Sequence, residues 1–290
     1  LALAKRKLWQ LGAALIGNGY FKGFITGDIF KGSTKFICFP GLNCYSCPGA
    51  LGSCPIGALQ AVIIDLRYRF SFYLLGFFVL LGTASGRLVC GWLCPFGLVQ
   101  ELFYKIPLPK KRLKLNFITR YLKYAVLLVF VVALPLFWLD DFGFGQPTFC
   151  KFICPAGTLQ AGVPLLIVNE SLRSAAGFLF QWKLLILIAT IISAIILFRP
   201  FCRLLCPLGA ILSIFNPVSL YHYQITAACN NCTACRRSCK LEIDPQKTPN
   251  HPECIRCGEC ISSCPTRAIE AKFCFRAEGV QVSTEQALKG

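Results

Sequence analysis

Apolar residues in this chain collect in long runs rather than at alternating or helical intervals. Phe70–Leu88 is almost uncharged until Arg87, and Tyr124–Leu139 and Leu184–Phe198 carry no charge. With flanking residues each approaches the roughly 20 residues that cross a hydrocarbon core of about 30 Å. A further stretch, Leu8–Ile25, is interrupted by Asn18 and Lys22. Lys5-Arg6-Lys7 would suit the basic start of a signal peptide, but no small-x-small cleavage site with a polar start follows, so the stretch reads as a retained helix. The pattern predicts a mainly α, integral membrane chain with about four transmembrane helices.

Composition agrees. Of 290 residues, 55% are hydrophobic and only 15% charged, where soluble domains carry about 25% charge; mean hydropathy is +0.59. The net charge of +17 changes the picture only through its placement. Lys105, Lys110, Lys111, Arg112, Lys114, Arg120 and Lys123 crowd one connection, whereas the next sets Asp140, Asp141 and Glu170 against Lys151, Arg173 and Lys183. This asymmetry predicts a multi-pass protein of the cytoplasmic (inner) membrane, with the 105–123 loop, the N-terminus and everything after Phe198 in the cytoplasm. It points to membrane lipid as the surroundings and to no nucleic acid. Arg67 and Arg69 fit this orientation poorly. Trp9, Trp92, Trp138 and Trp182 stand near proposed span ends, where an aromatic belt is expected.

Cysteine adds the chemistry: the chain has 19. Cys229-x2-Cys232-x2-Cys235-x3-Cys239 is followed by Cys254-x2-Cys257-x2-Cys260-x3-Cys264-Pro265. Two such runs form the two-cluster ferredoxin pattern, in which the fourth Cys of each run serves the other cluster. Cys229, Cys232, Cys235 and Cys264 are the expected ligands of one [4Fe–4S] cluster, and Cys254, Cys257, Cys260 and Cys239 of the second. Lys240 stands where Pro usually follows the first run, which predicts altered local geometry. Zinc also binds paired Cys-x2-Cys elements, but three close cysteines plus a fourth, twice over, fit it poorly. Residues 221–290 are thus expected to form a ferredoxin-like α+β module.

A second pattern recurs four times: Cys54-Pro55-Ile56-Gly57, Cys94-Pro95-Phe96-Gly97, Cys154-Pro155-Ala156-Gly157 and Cys206-Pro207-Leu208-Gly209. Cys90, Cys150 and Cys202 stand four residues before three of them; the first has Ala50 there and Cys44-x2-Cys47 upstream. Gln60, Gln100 and Gln160 share one offset, where the last repeat has Leu212. Proline suits the first position of a helix, which leaves each Cys at a helix N-terminus favourable to a thiolate or an anionic group. Residues 1–220 then read as a duplicated membrane domain of helix pairs with short interfacial Cys-Pro helices, its halves roughly 1–116 and 117–220. Cys90, Cys94, Cys202 and Cys206 are expected to converge near the inner face. Cys44, Cys47 and Cys54 are expected to meet Cys150 and Cys154 near the outer face, with Cys38 a further candidate, so the outer ligand set stays open. One or two additional iron–sulfur centres would follow.

Cys90-Gly-Trp-Leu-Cys94-Pro-Phe-Gly, its Cys202/Cys206 counterpart and the terminal double run resemble the membrane-bound 4Fe-4S polyferredoxins, the NapH-type and NosR-type ferredoxin proteins. The resemblance spans nearly the whole chain. It implies an inner-membrane electron carrier with cytoplasmic clusters, exchanging electrons with quinol or a redox partner protein such as an extracytoplasmic reductase or flavoprotein. The Cys-Pro segments predicted on the outer side depart from that pattern. The competing class is a metal-reducing or metallocentre assembly factor, since soft thiolates also suit Cu(I). No G-x-G-x-x-G or C-x-x-C-H is present, which argues against dinucleotide or attached haem. His222 and His251 read as ordinary polar contacts and Asp65, Asp140 and Asp141 as solvated loop acids. Cys274 stands at no ligand spacing.

Overall fold

The computed structural model describes residues 2–65, 71–111, 117–141 and 143–273. Cys274, Arg67, Arg69, Arg112 and Lys114 lie outside the described residues. The described chain is mostly helical. Two helices are long and apolar enough to cross a membrane, Thr119–Phe137 and Phe178–Ile196; 19 residues each reach about 28 Å. The run expected over Phe70–Leu88 forms a shorter helix, Phe72–Ser85. It stops because Gly86 takes a left-handed φ of 52°, and the next amide, of Arg87, is taken by the Asn216 side chain at 3.0 Å. Its apolar face stays open, with Phe72 76% and Leu80 72% exposed, as lipid contact requires.

The N-terminal helix differs from expectation. It spans Ala2–Gly17, and the chain turns at Asn18 before a short helix, Lys22–Thr26. Asn18 Nδ2 donates to Ala14 O at 2.9 Å, the local competition that makes Asn a poor helix-interior residue. Gly17 ends the helix against the Phe39 ring, 2.8 Å from where a Cβ would stand. Its carbonyl accepts from Asn43 Nδ2 and from Leu51 N. Arg6 is not a free basic residue: it is buried, and its guanidinium grips Glu101 through two bonds of 2.8 and 2.9 Å.

The helix Thr119–Phe137 widens to a π-helix over Leu127–Ala133. Pro135 explains it. Proline offers no amide to the Phe130 carbonyl five residues back, and the Thr148 hydroxyl takes that carbonyl at 2.6 Å. A second π stretch, Thr158–Gly162, precedes Pro164.

The four Cys-Pro segments fold alike. Each Cys is an extended N-cap, ψ 105° to 126°, with Pro at the start of the helix that follows: Pro55–Ile64, Pro95–Phe103, Pro155–Gly157 (continuing to Val168) and Pro207–Phe215. The upstream Cys of three repeats is the middle residue of a one-turn helix, Leu88–Trp92, Thr148–Phe152 or Pro200–Leu204. In all three the capping Cys donates its amide back five residues, to Val89, Phe149 or Phe201. The core centres on these turns, joining Cys54, Cys90, Cys94, Cys154 and Cys206 to Phe96, Phe149 and Phe201.

After Leu220 the architecture changes. Strand β1, Tyr221–Ile225, pairs antiparallel with β2, Ile269–Phe273, in the register Tyr223↔Ala271. Two single-turn helices, Ala234–Ser238 and Glu259–Ser262, lie between them.

Glu101 is buried between Arg6 and Arg199, each 2.8 Å away. Replacing it by alanine strands two buried guanidiniums. Glu101→Ala is expected to cost about 3–5 kcal/mol, read as a lower thermal midpoint of the detergent-solubilised chain, with Glu101→Gln intermediate.

Candidate functional site

Backbone curvature distinguishes the two terminal cysteine runs. Asn231 and Thr233 have φ of 55° and 57° within the first, and Arg256 and Gly258 have 52° and 80° at the same offsets within the second. Glu242 and Arg267, at 59° and 51°, each follow a fourth Cys by three residues. Left-handed non-glycine residues cost roughly 1–3 kcal/mol each and persist where the surroundings impose them. Their repetition curls successive amides inward, the concave arrangement that receives anionic groups.

The thiols follow this curl. Cys254, Cys257 and Cys260 line one apolar pocket together with Cys239 of the first run, walled by Tyr223, Leu241 and Ile243. Cys235 and Cys264, from opposite runs, share a small buried cluster with Tyr223 and Ile269. Gln246 Nε2 donates to Cys229 Sγ at 3.6 Å and the Ala268 amide to Cys264 Sγ at 3.3 Å; Cys232 is half-buried. Lys240 reaches Glu259 at 2.8 Å. All the described cysteines are free thiols.

The inner group converges as well. Cys90, Cys94, Cys202 and Cys206 are buried and within electrostatic reach of one another. Two buried arginines bind across the repeat. Arg87 donates to the Cys202 carbonyl at 3.3 Å, and Arg199 donates to the Cys90 carbonyl. Each guanidinium lies over the glycine of the opposite Cys-Pro helix: Arg199 Nη1 is 3.1 Å from a Cβ placed at Gly97, and Arg87 Nη2 is 3.3 Å from one at Gly209. Gln100 Nε2 donates to Cys202 Sγ at 3.0 Å, and the Gly209 amide to Cys206 Sγ at 3.4 Å. Four buried thiols beside two fixed cations, whose Nε atoms find no partner among the described residues, suit an anionic thiolate-bound group. Among the described residues no three Cys, His, Asp or Glu side chains crowd to the spacing of one shared metal ion.

Sequence reasoning passed over both arginines. A signal was present: Arg87 and Arg199 each stand three residues before the first Cys of an inner pair, where the outer pair has Pro147.

The terminal module sits on this inner group. Arg87 also binds the Pro252 carbonyl at 3.1 Å and Glu253 Oε2 at 2.8 Å. Lys123 pairs with the other Glu253 oxygen. Burial pushes the Glu253 carboxyl up, but Arg87 and Lys123 override it and hold it at about 2. Asn216 Nδ2 bonds the His251 and Cys254 carbonyls, and Arg256 bonds the Ser85 and Asn216 carbonyls. Trp92 donates to the Arg256 carbonyl at 3.0 Å. Arg120 contacts His251 Nε2 at 3.2 Å. Gly91 passes beneath Ile255 so closely that a Cβ would stand 2.3 Å from its carbonyl oxygen.

Beside the first and third Cys-Pro helices a cavity of about 910 Å³ is lined by Cys38, Cys44, Cys54, Cys150 and Cys154, with Lys35 and Lys183. Cys47 is not among them; its Sγ faces Asn18 Oδ1 at 3.5 Å.

The sequence matches a 4Fe-4S binding domain model, Fer4_5, over residues 66–116, 124–168 and 179–219, and a second 4Fe-4S binding domain model, Fer4, over 249–270. It is 31% identical to the uncharacterized protein MJ0750 of Methanocaldococcus jannaschii, over 68% of this chain and 77% of that protein. It is 29% identical to the regulatory protein NosR of Stutzerimonas stutzeri over 59% of this chain, spanning 22% of NosR. It is 24% identical to the ferredoxin-type protein NapH of Escherichia coli over 64% of this chain and 62% of NapH. No solved structure matches. Apolar helices, 4Fe-4S domain matches and these relatives agree: the chain belongs to the membrane ferredoxin-type 4Fe-4S binding proteins.

Proposed function

We propose that this chain is a multi-pass inner-membrane protein that moves electrons between a quinol or cytoplasmic donor and a redox partner protein. Residues 1–220 form its duplicated membrane domain of about four crossing helices, and residues 221–290 its cytoplasmic two-cluster module. One observation carries the reading: the Pro252–Arg256 loop of the module is bonded directly to the inner thiol segments through Arg87, Trp92 and Asn216. A soluble carrier merely tethered to lipid would need no such seat.

Cys229, Cys232, Cys235 and Cys264 hold one [4Fe–4S] cluster, Cys254, Cys257, Cys260 and Cys239 the second, and Cys90, Cys94, Cys202 and Cys206 a third centre. Such clusters supply reversible one-electron transfer when bound. The residues around them do three things. The curled cysteine runs fix the thiols, Arg87 and Arg199 offset negative charge at the inner group, and Leu241, Ile243, Ile255 and Phe201 exclude water between the sites. The orientation is supported by Lys123 and Arg120, which come from the basic connection and touch the module, so both belong to one side. Quinol would approach the Cys90, Cys94, Cys202 and Cys206 site from among the lipid-facing helices.

Two variants test this. Cys90→Ser with Cys202→Ser is expected to remove about four irons per chain, the complement of one cluster, and to abolish quinol-dependent reduction of the terminal clusters, followed by anaerobic EPR. Retention of full iron and of the reduction rate contradicts the inner centre. Gly91→Ala forces a Cβ onto the Ile255 carbonyl. Overpacking of about 1–3 kcal/mol corresponds to roughly 5- to 150-fold in the undocked fraction. The expected signs are faster protease cleavage near residues 216–221 and slower electron entry into terminal clusters that keep their iron.

A further inference from the structure

The cavity at the far end from the module is a second thiol site built on the same plan. Tyr73 and Leu74, at the start of the helix Phe72–Ser85, line it, whereas Ser85 at the other end accepts from Arg256 of the module. Cavity and module therefore lie roughly 17 Å apart along that helix, with the group of Cys90, Cys94, Cys202 and Cys206 between them: Gly41, three residues before Cys44, packs on Cys94.

Five cysteines line the cavity, and its internal symmetry selects among them. The Gln60 side chain, from the first Cys-Pro helix, accepts from the Cys150 amide at 3.4 Å; Gln160, from the third, accepts from the Cys44 amide at 2.8 Å. Each glutamine thus reaches across to one cysteine of the opposite repeat. Cys44 thereby occupies the role that Cys150 plays, although Ala50 stands at the matching position in sequence. Cys44 Sγ and Cys154 Sγ both face Gly157, 3.6 and 3.9 Å from a Cβ placed there, so the two thiols meet at one point of the third Cys-Pro helix. Cys44, Cys54, Cys150 and Cys154 are within electrostatic reach of one another; Cys47 reaches Cys44 but lines no part of the cavity, and Cys38 is within reach of none of the four.

Two further features point to an anionic ligand. Lys183 lies in electrostatic range of Cys44, Cys150 and Cys154, and Lys35, almost wholly buried, of Cys44 and Cys47. Gln60 is fully buried, yet its Nε2 has no partner among the described residues. The equivalent Gln100 Nε2 donates to a thiol of the inner group. A buried amide donor left unmatched on a side chain bonded to the Cys150 amide marks a missing acceptor.

We propose that Cys44, Cys54, Cys150 and Cys154 form a further iron–sulfur site at the face opposite the ferredoxin module, with Cys38 and Cys47 outside the ligand set. Four thiolates around a [4Fe–4S] core leave a net charge of about −2. Lys35 and Lys183 offset that charge, as Arg87 and Arg199 do at the inner site. Loading releases the four thiol protons to solvent. The site stands independently of the inner centre and extends the chain's redox groups toward the other side of the membrane.

The test uses the full chain, purified anaerobically in detergent, with iron and acid-labile sulfide counted and centres resolved by EPR redox titration. Cys54→Ser with Cys154→Ser should lose about four irons and one EPR component while the terminal-cluster signals persist. Cys38→Ser with Cys47→Ser should lose none. Unchanged iron in the first variant overturns the proposal, as does iron loss in the second or copper in place of iron in the native chain. A milder variant guards against misfolding. Gln60→Leu, a change the fourth repeat tolerates at Leu212, should shift the potential or g values of one centre only and leave the iron count unchanged. If no centre responds, the site is not where the glutamine points.

Discussion

Two buried arginines that cross between the repeats organise the structure. Arg87 and Arg199 each leave one inner Cys segment and bond the carbonyl of the other. A guanidinium is costly to bury without counter-charge, so each needs an acid: Glu253 for Arg87 and Glu101 for Arg199. Those acids lie in different parts of the chain. Glu101 ties the inner site to the N-terminal helix through Arg6, and Glu253 ties it to the terminal module. One electrostatic demand, positive charge beside four buried thiols, thereby fixes how three regions of the chain assemble.

The repeats share a backbone but not this contact. Arg199 and Arg87 lie against Gly97 and Gly209, where a Cβ would crowd the guanidinium, whereas Gly57 and Gly157 hold the same position with no arginine against them. The cavity of Cys44, Cys54, Cys150 and Cys154 is lined by lysines from outside the motif, Lys35 and Lys183, and by no arginine among the described residues. It keeps the helix start, the extended Cys cap and the reaching glutamine. The duplicated backbone is thus constant, while the cation supply differs between the two ends.

Much of this was legible in the sequence where spacing alone carries the information. The two ferredoxin runs and the four Cys-Pro helix starts follow from covalent geometry and proline's preference for the first helical turn. Contacts between distant segments were not. Cys44 stands for the missing residue at Ala50 only because Gln160 meets its amide from 116 residues away. Trp92 and Lys123 look like interfacial residues by position, yet both are taken up by the module. The early stop of Phe72–Ser85 depends on Asn216, and five of the six left-handed turns in the cysteine runs fall on residues other than glycine. Those backbone states are imposed by tertiary structure and leave no local signal.

The central claim is that the terminal module and the inner thiol group form one conduit through the Arg87–Glu253 seat. Its most direct test is EPR of the fully reduced native chain, comparing spectra at two microwave frequencies. Neighbouring reduced centres should split and broaden each other's lines by a frequency-independent amount. That interaction should persist beyond the mutual coupling of the two terminal clusters and should vanish in the chain lacking Cys90 and Cys202. Spectra identical to those of the isolated pair of terminal clusters, with or without the inner cysteines, would contradict the account.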